Sequence, residues 1–319
     1  MFVIIGTTTA DLLILSPQPL ANRGDEGFRS SNLVFTDTPL RFVMGGNGGN
    51  SAYVLAGLGV PTALCSSVGR DVWGNTLAAW LETRGVNLDG LTHSDMHATS
   101  TSVVLMTDAT NQVVFHHLGA SAHIHPKDMP YDLIAEAEVL LATSFSLIPE
   151  MRAGGFARAL ARTHRTGGIT ALDIGPAIGD PVTLDELIPL LPVTHYLIAN
   201  SHEITRLTGT EDWETAAAQL LDAGALNLVL KRGVEGASMR GASANVDIPG
   251  FSVNANVSVG AGDAFNVGFL YGVQQGWPAG QSIRFGNAIA ALLVTGEQGV
   301  MGSPTLAQVE SFLNAEARP

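Results

Sequence analysis

Between Val139 and Leu230, short apolar runs alternate with longer stretches of helical character, and this alternation constrains the fold more than any other feature. The runs Val139–Ala142, Ile169–Leu172, Tyr196–Ala199 and Leu226–Leu230 have strand length and consist mostly of Val, Ile, Leu and Ala. Helices are expected between them, from about Met151 to Arg165 and from about Leu184 to Leu190. Strand and helix in turn is the pattern of βαβ units, whose parallel strands are buried on both faces. Phe2–Ile5, a continuous apolar run closed by Gly6, reads as a further central strand. The expectation is an α/β fold, three-layered and doubly wound around a mostly parallel sheet. Nothing repeats at a fixed period, which excludes a solenoid.

A second texture interrupts the first. Leu12–Leu15, Asn32–Phe35 and Leu40–Met44 are β-type pieces separated by Pro17, Pro19, Gly24, Gly27 and Asp37-Thr38-Pro39. Thr101–Met106 and Gln112–Leu118 form a similar patch, divided by the turn sequence Asp108-Ala109-Thr110-Asn111. Short strands without helices between them suit a small antiparallel sheet. At 319 residues the chain can bury a full core.

Charge narrows the partners. A formal net charge of -13, with only 16 Lys plus Arg, argues against a nucleic-acid or anionic-membrane surface. No apolar stretch approaches the roughly 18 residues of a membrane span, and Met1–Leu15 reads as a first strand rather than a signal peptide. Cys65 is the only cysteine, so no internal disulfide forms, which fits a reducing, cytoplasmic setting.

The chemistry concentrates in glycine-rich turns that lead into helices. Gly260-Ala261-Gly262-Asp263 precedes the apolar stretch Ala264–Gln275, expected to be helical. The N–H groups of a helix start have no intrahelical partner, and the helix dipole adds positive charge, so phosphate oxygens bind there. Asp263, in that first turn, places a carboxylate beside the anion hole; an N-capping aspartate is the plainer alternative. Gly45-Gly46-Asn47-Gly48-Gly49-Asn50 likewise feeds an expected helix, Ser51–Leu58. Asp11 lies just past the first strand, where open α/β sheets bind ligands. Asn200-Ser201-His202-Glu203 places two oxygen-bearing side chains on one face of a helix start, suited to hydrated Mg²⁺ or to a capping box.

Gly260–Asp263 and Gly45–Ala52 together resemble the two signatures of the ribokinase-like (PfkB-type) carbohydrate kinases, in the family's order, and weaker matches extend the resemblance over nearly the whole chain. It implies a single domain, 1–319, with a β lid formed by about 12–44 and 97–120 that relatives also use for a homodimer. The cofactors it implies are ATP and Mg²⁺. Asp263 would be the base, with Gly260, Ala261 and Gly262 as anion hole. Asp11, Gly45, Gly46 and Asn50 would hold a small sugar-like substrate. Lys231, Gly233, Gly236 and Asn287 would lie along the nucleotide, and Asn200 and Glu203 would hold waters around Mg²⁺. The resemblance breaks at Val257-Ser258-Val259, where the family places Asp-Thr-Thr, and this makes activation by a monovalent cation doubtful.

The expected function is transfer of the γ-phosphoryl group of MgATP to a hydroxyl, in the first instance a primary one. Two alternatives stay open: a nucleoside kinase with aromatic contacts from Phe28, Phe115 or Phe145, and a non-catalytic ligand-binding protein on a kinase scaffold. His116, His117, His123 and His125 are expected to be lid or surface histidines, because adjacent strand residues face opposite ways.

Overall fold

The computed structural model describes residues 1–15, 35–36, 38–106, 112–175 and 181–316. Among these residues thirteen strands fall into two sheets: a nine-stranded sheet in the order β13-β12-β11-β10-β9-β8-β1-β4-β5, and a four-stranded one in the order β3-β2-β6-β7. In the large sheet β1 is Phe2–Ile5, β4 Thr62–Gly69, β5 Asn87–Ser94, β8 Val139–Ala142, β9 Ile169–Asp173, β10 Tyr196–Asn200 and β11 Asn227–Lys231; all run parallel. Ala237–Gly241 (β12) and Val246–Ile248 (β13) add an antiparallel edge. No helix among the described residues is long and apolar enough to cross a membrane.

The two-residue period of β1 divides the core. Phe2 and Ile4 join one buried layer with α1 (Asn47–Gly57), α2 (Val72–Thr83), α9 (Ala261–Gln274), α10 (Ala279–Thr295) and α11 (Leu306–Glu316). Val3 and Ile5 join the other with α3 (Tyr131–Ala135), α4 (Pro149–Arg152), α5 (Gly155–Arg165), α6 (Leu184–Leu187), α7 (Ser201–Thr208) and α8 (Trp213–Asp222). This is the three-layer fold expected from the strand–helix alternation.

The order reverses at β1, which pairs with β4 on one side and β8 on the other. Such a reversal opens a crevice beyond the strand ends. The small sheet stands beside it: Thr9–Leu15 (β2) pairs antiparallel with Arg41–Gly45 (β3) and parallel with Ser100–Met106 (β6), which pairs antiparallel with Gln112–His117 (β7). Leu13, Val43, Val104 and Met106 pack with Val257 in a third apolar cluster that seats this sheet on the body.

Several boundaries differ from expectation for identifiable reasons. α1 begins at Asn47, four residues before the expected start, so the glycine stretch is the helix's first turn. Only Gly46, at φ 76°, turns the chain into it. Val253–Val257, although rich in valine, forms no strand: the N–H groups of Asn256 and Val257 both go to the Val294 carbonyl at the end of α10. β5, β12 and α8 were not anticipated. Of the expected strand Asn32–Phe35, residues 32–34 lie outside the described residues, as does the turn at 108–111.

The early start of α1 rests on contact between two glycines. A Cβ on Gly48 would stand 2.6 Å from the carbonyl carbon of Gly6, a backbone atom that cannot swing aside. Gly48→Ala is therefore expected to destabilise the protein by about 1–3 kcal/mol through overpacking, read as a lowered melting temperature. A melt superposable on that of the wild type would show that the helix and β1 can separate freely.

Candidate functional site

Four strand ends and three helix starts converge on one buried polar cluster. Gly260, at φ 84°, is the N-cap of α9, and Asp263 falls in that helix's first turn with 5% of its surface exposed. Its Oδ1 accepts from the Asn47 amide (2.9 Å) and its Oδ2 from the Asn50 amide (2.8 Å). Asn47 and Asn50 are three apart, so both reach the carboxylate from the same face of α1. Burial pushes the Asp263 carboxyl up to about 6, with Asp173 adding to the rise, while the two amides and Lys231 oppose it.

At a helix start of this geometry the Gly262 and Asp263 N–H groups have no intrahelical acceptor, whereas that of Ala261 turns back to the Ser258 carbonyl (3.2 Å). Behind Gly262 stands Lys231, whose ammonium would lie 3.7 Å from a Cβ placed there. Lys231 ends β11 and pairs with Asp173 at the end of β9, 3.0 Å away. Burial works against the ammonium, but Asp173, Glu203 and Asp263 outweigh it and raise its pKa. Asp173 also accepts from the Asn266 amide and the Gly175 N–H, the latter at 2.9 Å.

Asp11, on β2, lies against Gly45 so closely that a Cβ at Gly45 would fall 2.0 Å from its Oδ2. Its Oδ1 is buried without a hydrogen-bond partner, as is the Oδ1 of Asn50. Unsatisfied buried oxygens are costly and rare. These two lie in the Asp263 neighbourhood, where the hydroxyls of a polyol would satisfy them.

Asn200 and Glu203 form a reciprocal capping box at the start of α7, each side chain accepting from the other's N–H at 2.8 Å. Burial pushes the Glu203 carboxyl up to about 7, against the pull of Lys231. No group of three His, Cys, Asp or Glu side chains among the described residues is arranged to hold a bare metal ion. Hydrated Mg²⁺, bound through one or two carboxylates plus phosphate oxygens, makes a smaller demand, and Glu203 beside Lys231 and Asp263 fits it.

Gly233 and Gly236 have positive φ and shape the turn between β11 and β12; a Cβ on Gly236 would meet the Ile248 carbonyl oxygen at 2.2 Å. Asn287 stands behind that turn, its amide donating to the Ile248 and Pro249 carbonyls at 3.4 and 3.1 Å. Asn47, Asp173 and Asn266 are site residues that the sequence reading passed over. Their signal was periodic: Asn47 lies three before Asn50, and Asn266 three after Asp263.

The pfkB family carbohydrate kinase pattern matches residues 3–306. The ATP-dependent ribose-1-phosphate kinase of Halopiger xanaduensis is 29% identical over 85% of this chain and 86% of its own length. The ribokinase of Haemophilus influenzae is 25% identical over 97% of both chains. Among solved structures, the ribokinase of Arabidopsis thaliana complexed with ribose and ATP matches with a TM-score of 0.79 and 22% identity over 98% of each chain.

The raised Asp11 carboxyl has a consequence for stability. Burial is the main cause of its rise from 3.8 to about 6; Asp263 adds to it and the Ser102 hydroxyl opposes it. A carboxyl whose pKa rises on folding loses stability as pH climbs through about 4 to 6, and the loss is complete above that window. Asp11→Asn carries no such charge. Its melting temperature should match the wild type's near pH 4 and exceed it near pH 8; an equal gap at both values would contradict burial as the cause.

Proposed function

Because the chain belongs to the pfkB family of carbohydrate kinases, we propose that it transfers the γ-phosphoryl group of MgATP to a hydroxyl, in the first instance a primary one, of a small sugar-like compound. The observation that carries this reading is the Asp263 carboxylate, buried at the start of α9 and held through both oxygens by amides of α1. At a pKa of about 6 it is ionised at neutral pH yet basic enough to accept the hydroxyl proton. The loose transition state of phosphoryl transfer asks mainly for positioning and charge stabilisation.

Asp11 and Asn50 orient the acceptor through their unpartnered oxygens, with Gly45 and Gly46 giving the backbone its close approach. Gly260, Ala261 and Gly262 turn the chain into the anion hole; with the Ala261 N–H engaged by the Ser258 carbonyl, its donors are the N–H groups of Gly262 and Asp263, and one such donor is typically worth about 3 kcal/mol. Lys231, held by Asp173, serves the phosphates as a point charge. Gly233, Gly236 and Asn287 shape the wall along the nucleotide. Asn200 and Glu203 would hold Mg²⁺ through water; the ion supplies charge neutralisation between the phosphates.

Residues 12–44 and 97–120 act as a lid in this reading, of which 16–34, 37 and 107–111 lie outside the described residues. β7 is an edge strand of the small sheet, with Val113 and Phe115 more than half exposed, which favours a second copy of the chain there. An unpaired, buried Cys65 suits a cytoplasmic enzyme.

A nucleoside acceptor is less favoured. Of its three aromatic candidates, Phe145 is fully buried and packed on Phe156 with ring centroids 5.1 Å apart, so it is unavailable to a ligand. Phe28 lies outside the described residues, which leaves Phe115.

ADP release measured with MgATP against pentoses, hexoses, sugar acids, sugar phosphates and nucleosides tests the reading. One acceptor class should give turnover, and Asp263→Asn should lower kcat by roughly 10²–10⁴-fold without changing the melting profile at pH 8 by more than a few degrees. An Asp263→Asn enzyme with undiminished turnover would remove Asp263 as the base. Nucleotide binding without turnover on any acceptor would favour the non-catalytic alternative.

A further inference from the structure

The crevice between β1 and β8 holds a strained residue whose hydrogen bonds lead to Asp263. Ser144 follows β8 by two residues, is fully buried, and has φ 60°; it is the sole non-glycine residue with positive φ among those described. A side chain in that backbone region is unfavourable, and such strain persists where the surroundings enforce it, often at functional sites. Here the enforcement comes from Thr7, two residues past β1. The Thr7 N–H donates to Ser144 Oγ (3.2 Å), and the two hydroxyl oxygens are 2.9 Å apart.

The direction of the chain follows from counting protons. Ser144 Oγ donates to Asn47 Oδ1 at 3.2 Å. A hydroxyl has one proton, so Thr7 must be the donor in the hydroxyl pair. With its oxygen held by Ser144, Asn47 can present only its amide N–H groups to Asp263 Oδ1, at 2.9 Å. The opposite amide orientation would set the Asn47 oxygen against the acceptor-only Asp263 carboxylate, so the carboxylate fixes the orientation. Hydroxyl, hydroxyl, amide and carboxylate are thus aligned in one polarised series.

We propose that Ser144, acting through Asn47, is a positioning residue that fixes the plane of the Asp263 carboxylate and keeps it ionised for proton acceptance. This rests on Asp263 being the base. Asn50, the other amide donor, has its own oxygen buried without a partner, so its grip on Oδ2 is open to rearrangement when an acceptor hydroxyl arrives. Asn47 has both ends committed, and its grip on Oδ1 persists through the reaction. The charged groups facing Asp263 are Asp11 from β2, Asp173 from the end of β9, Glu203 from α7 and Lys231 from the end of β11. None of them takes over the donor lost with Asn47.

Ser144→Gly separates this role from a structural one, because glycine accepts the positive φ without strain while removing the hydroxyl. Carboxyl-detected NMR of ¹³C-aspartate protein, with Asp263→Asn identifying the signal, reads the carboxyl without any substrate. Ser144→Gly and Asn47→Ala should each move its titration upward, since a donor to the charged form is weakened or lost. With the best acceptor of the panel, kcat should fall about tenfold or more, KM should change less, and the acid limb should shift to higher pH. The double variant should be no worse than Asn47→Ala alone, as for residues acting in series.

A Ser144→Gly protein as stable as the wild type or more so, yet impaired in this way, supports the proposal. An unshifted Asp263 titration in Ser144→Gly, or multiplicative losses in the double variant, overturns it. Full turnover in Asp263→Asn would instead overturn the identity of the base.

Discussion

The structure depends on burying negative charge. Asp11, Asp173, Glu203 and Asp263 are each at least nine-tenths buried in one region, and a single ammonium, Lys231, is set among them. Carboxylates cannot be taken from water without compensation, so the surrounding architecture consists largely of donors. Asn47 and Asn50 project from the first turn of α1, Asn266 from α9, and the N–H groups of Gly175 and Asn200 from strand ends. The compensation is incomplete: Asp11, Glu203 and Asp263 all remain above their ordinary pKa values. A protein gains no stability from such an arrangement, so its presence points to chemistry.

Part of this was legible in the sequence because it is local. A glycine at positive φ followed by a helix start is specified within a few residues, which is why Gly260–Asp263 could be read as an anion hole with an adjoining carboxylate. The strand–helix alternation is local too, and it gave the parallel sheet and its two covered faces. What escaped was set by contacts between distant segments. Asp173 and Lys231 end strands separated by β10, and nothing in either stretch names the other as its partner. Asn47 was hidden for a different reason. Glycines usually argue against helix interiors, yet here Gly48 is small because α1 starts directly against Gly6, so a stretch that looked like loop is helical.

The break at Val257-Ser258-Val259 acquires a physical meaning from the small sheet. Val257 is fully buried among Leu13, Val43, Val104 and Met106, so the position where the family carries an aspartate instead supplies apolar contact. Arg41 reinforces the same seam from β3, donating to the Glu297 carbonyl at 2.7 Å and pairing with its carboxylate. The loop it holds continues to Val300, whose side chain would be 2.4 Å from a Cβ on Gly260. The small sheet and the start of α9 therefore share one support, and displacement of the sheet would be felt at Gly260.

Charge also explains why the site divides as it does on the proposed reading. A triphosphate approaching several carboxylates and one ammonium would be repelled unless its own charge were neutralised, which the dipole of α9 and a divalent ion can do from opposite sides. Glu203 lies toward the strand ends that carry Lys231, while Asp11 lies toward the small sheet, and Asp263 stands between them in contact with α1. Two carboxylates then face different partners, polyol hydroxyls on one side and hydrated metal on the other, and Asp173 is occupied in restraining the ammonium. Asp263 is the one carboxylate placed between both sides. Its two amide donors allow it to remain charged at that position while presenting a lone pair to an incoming hydroxyl.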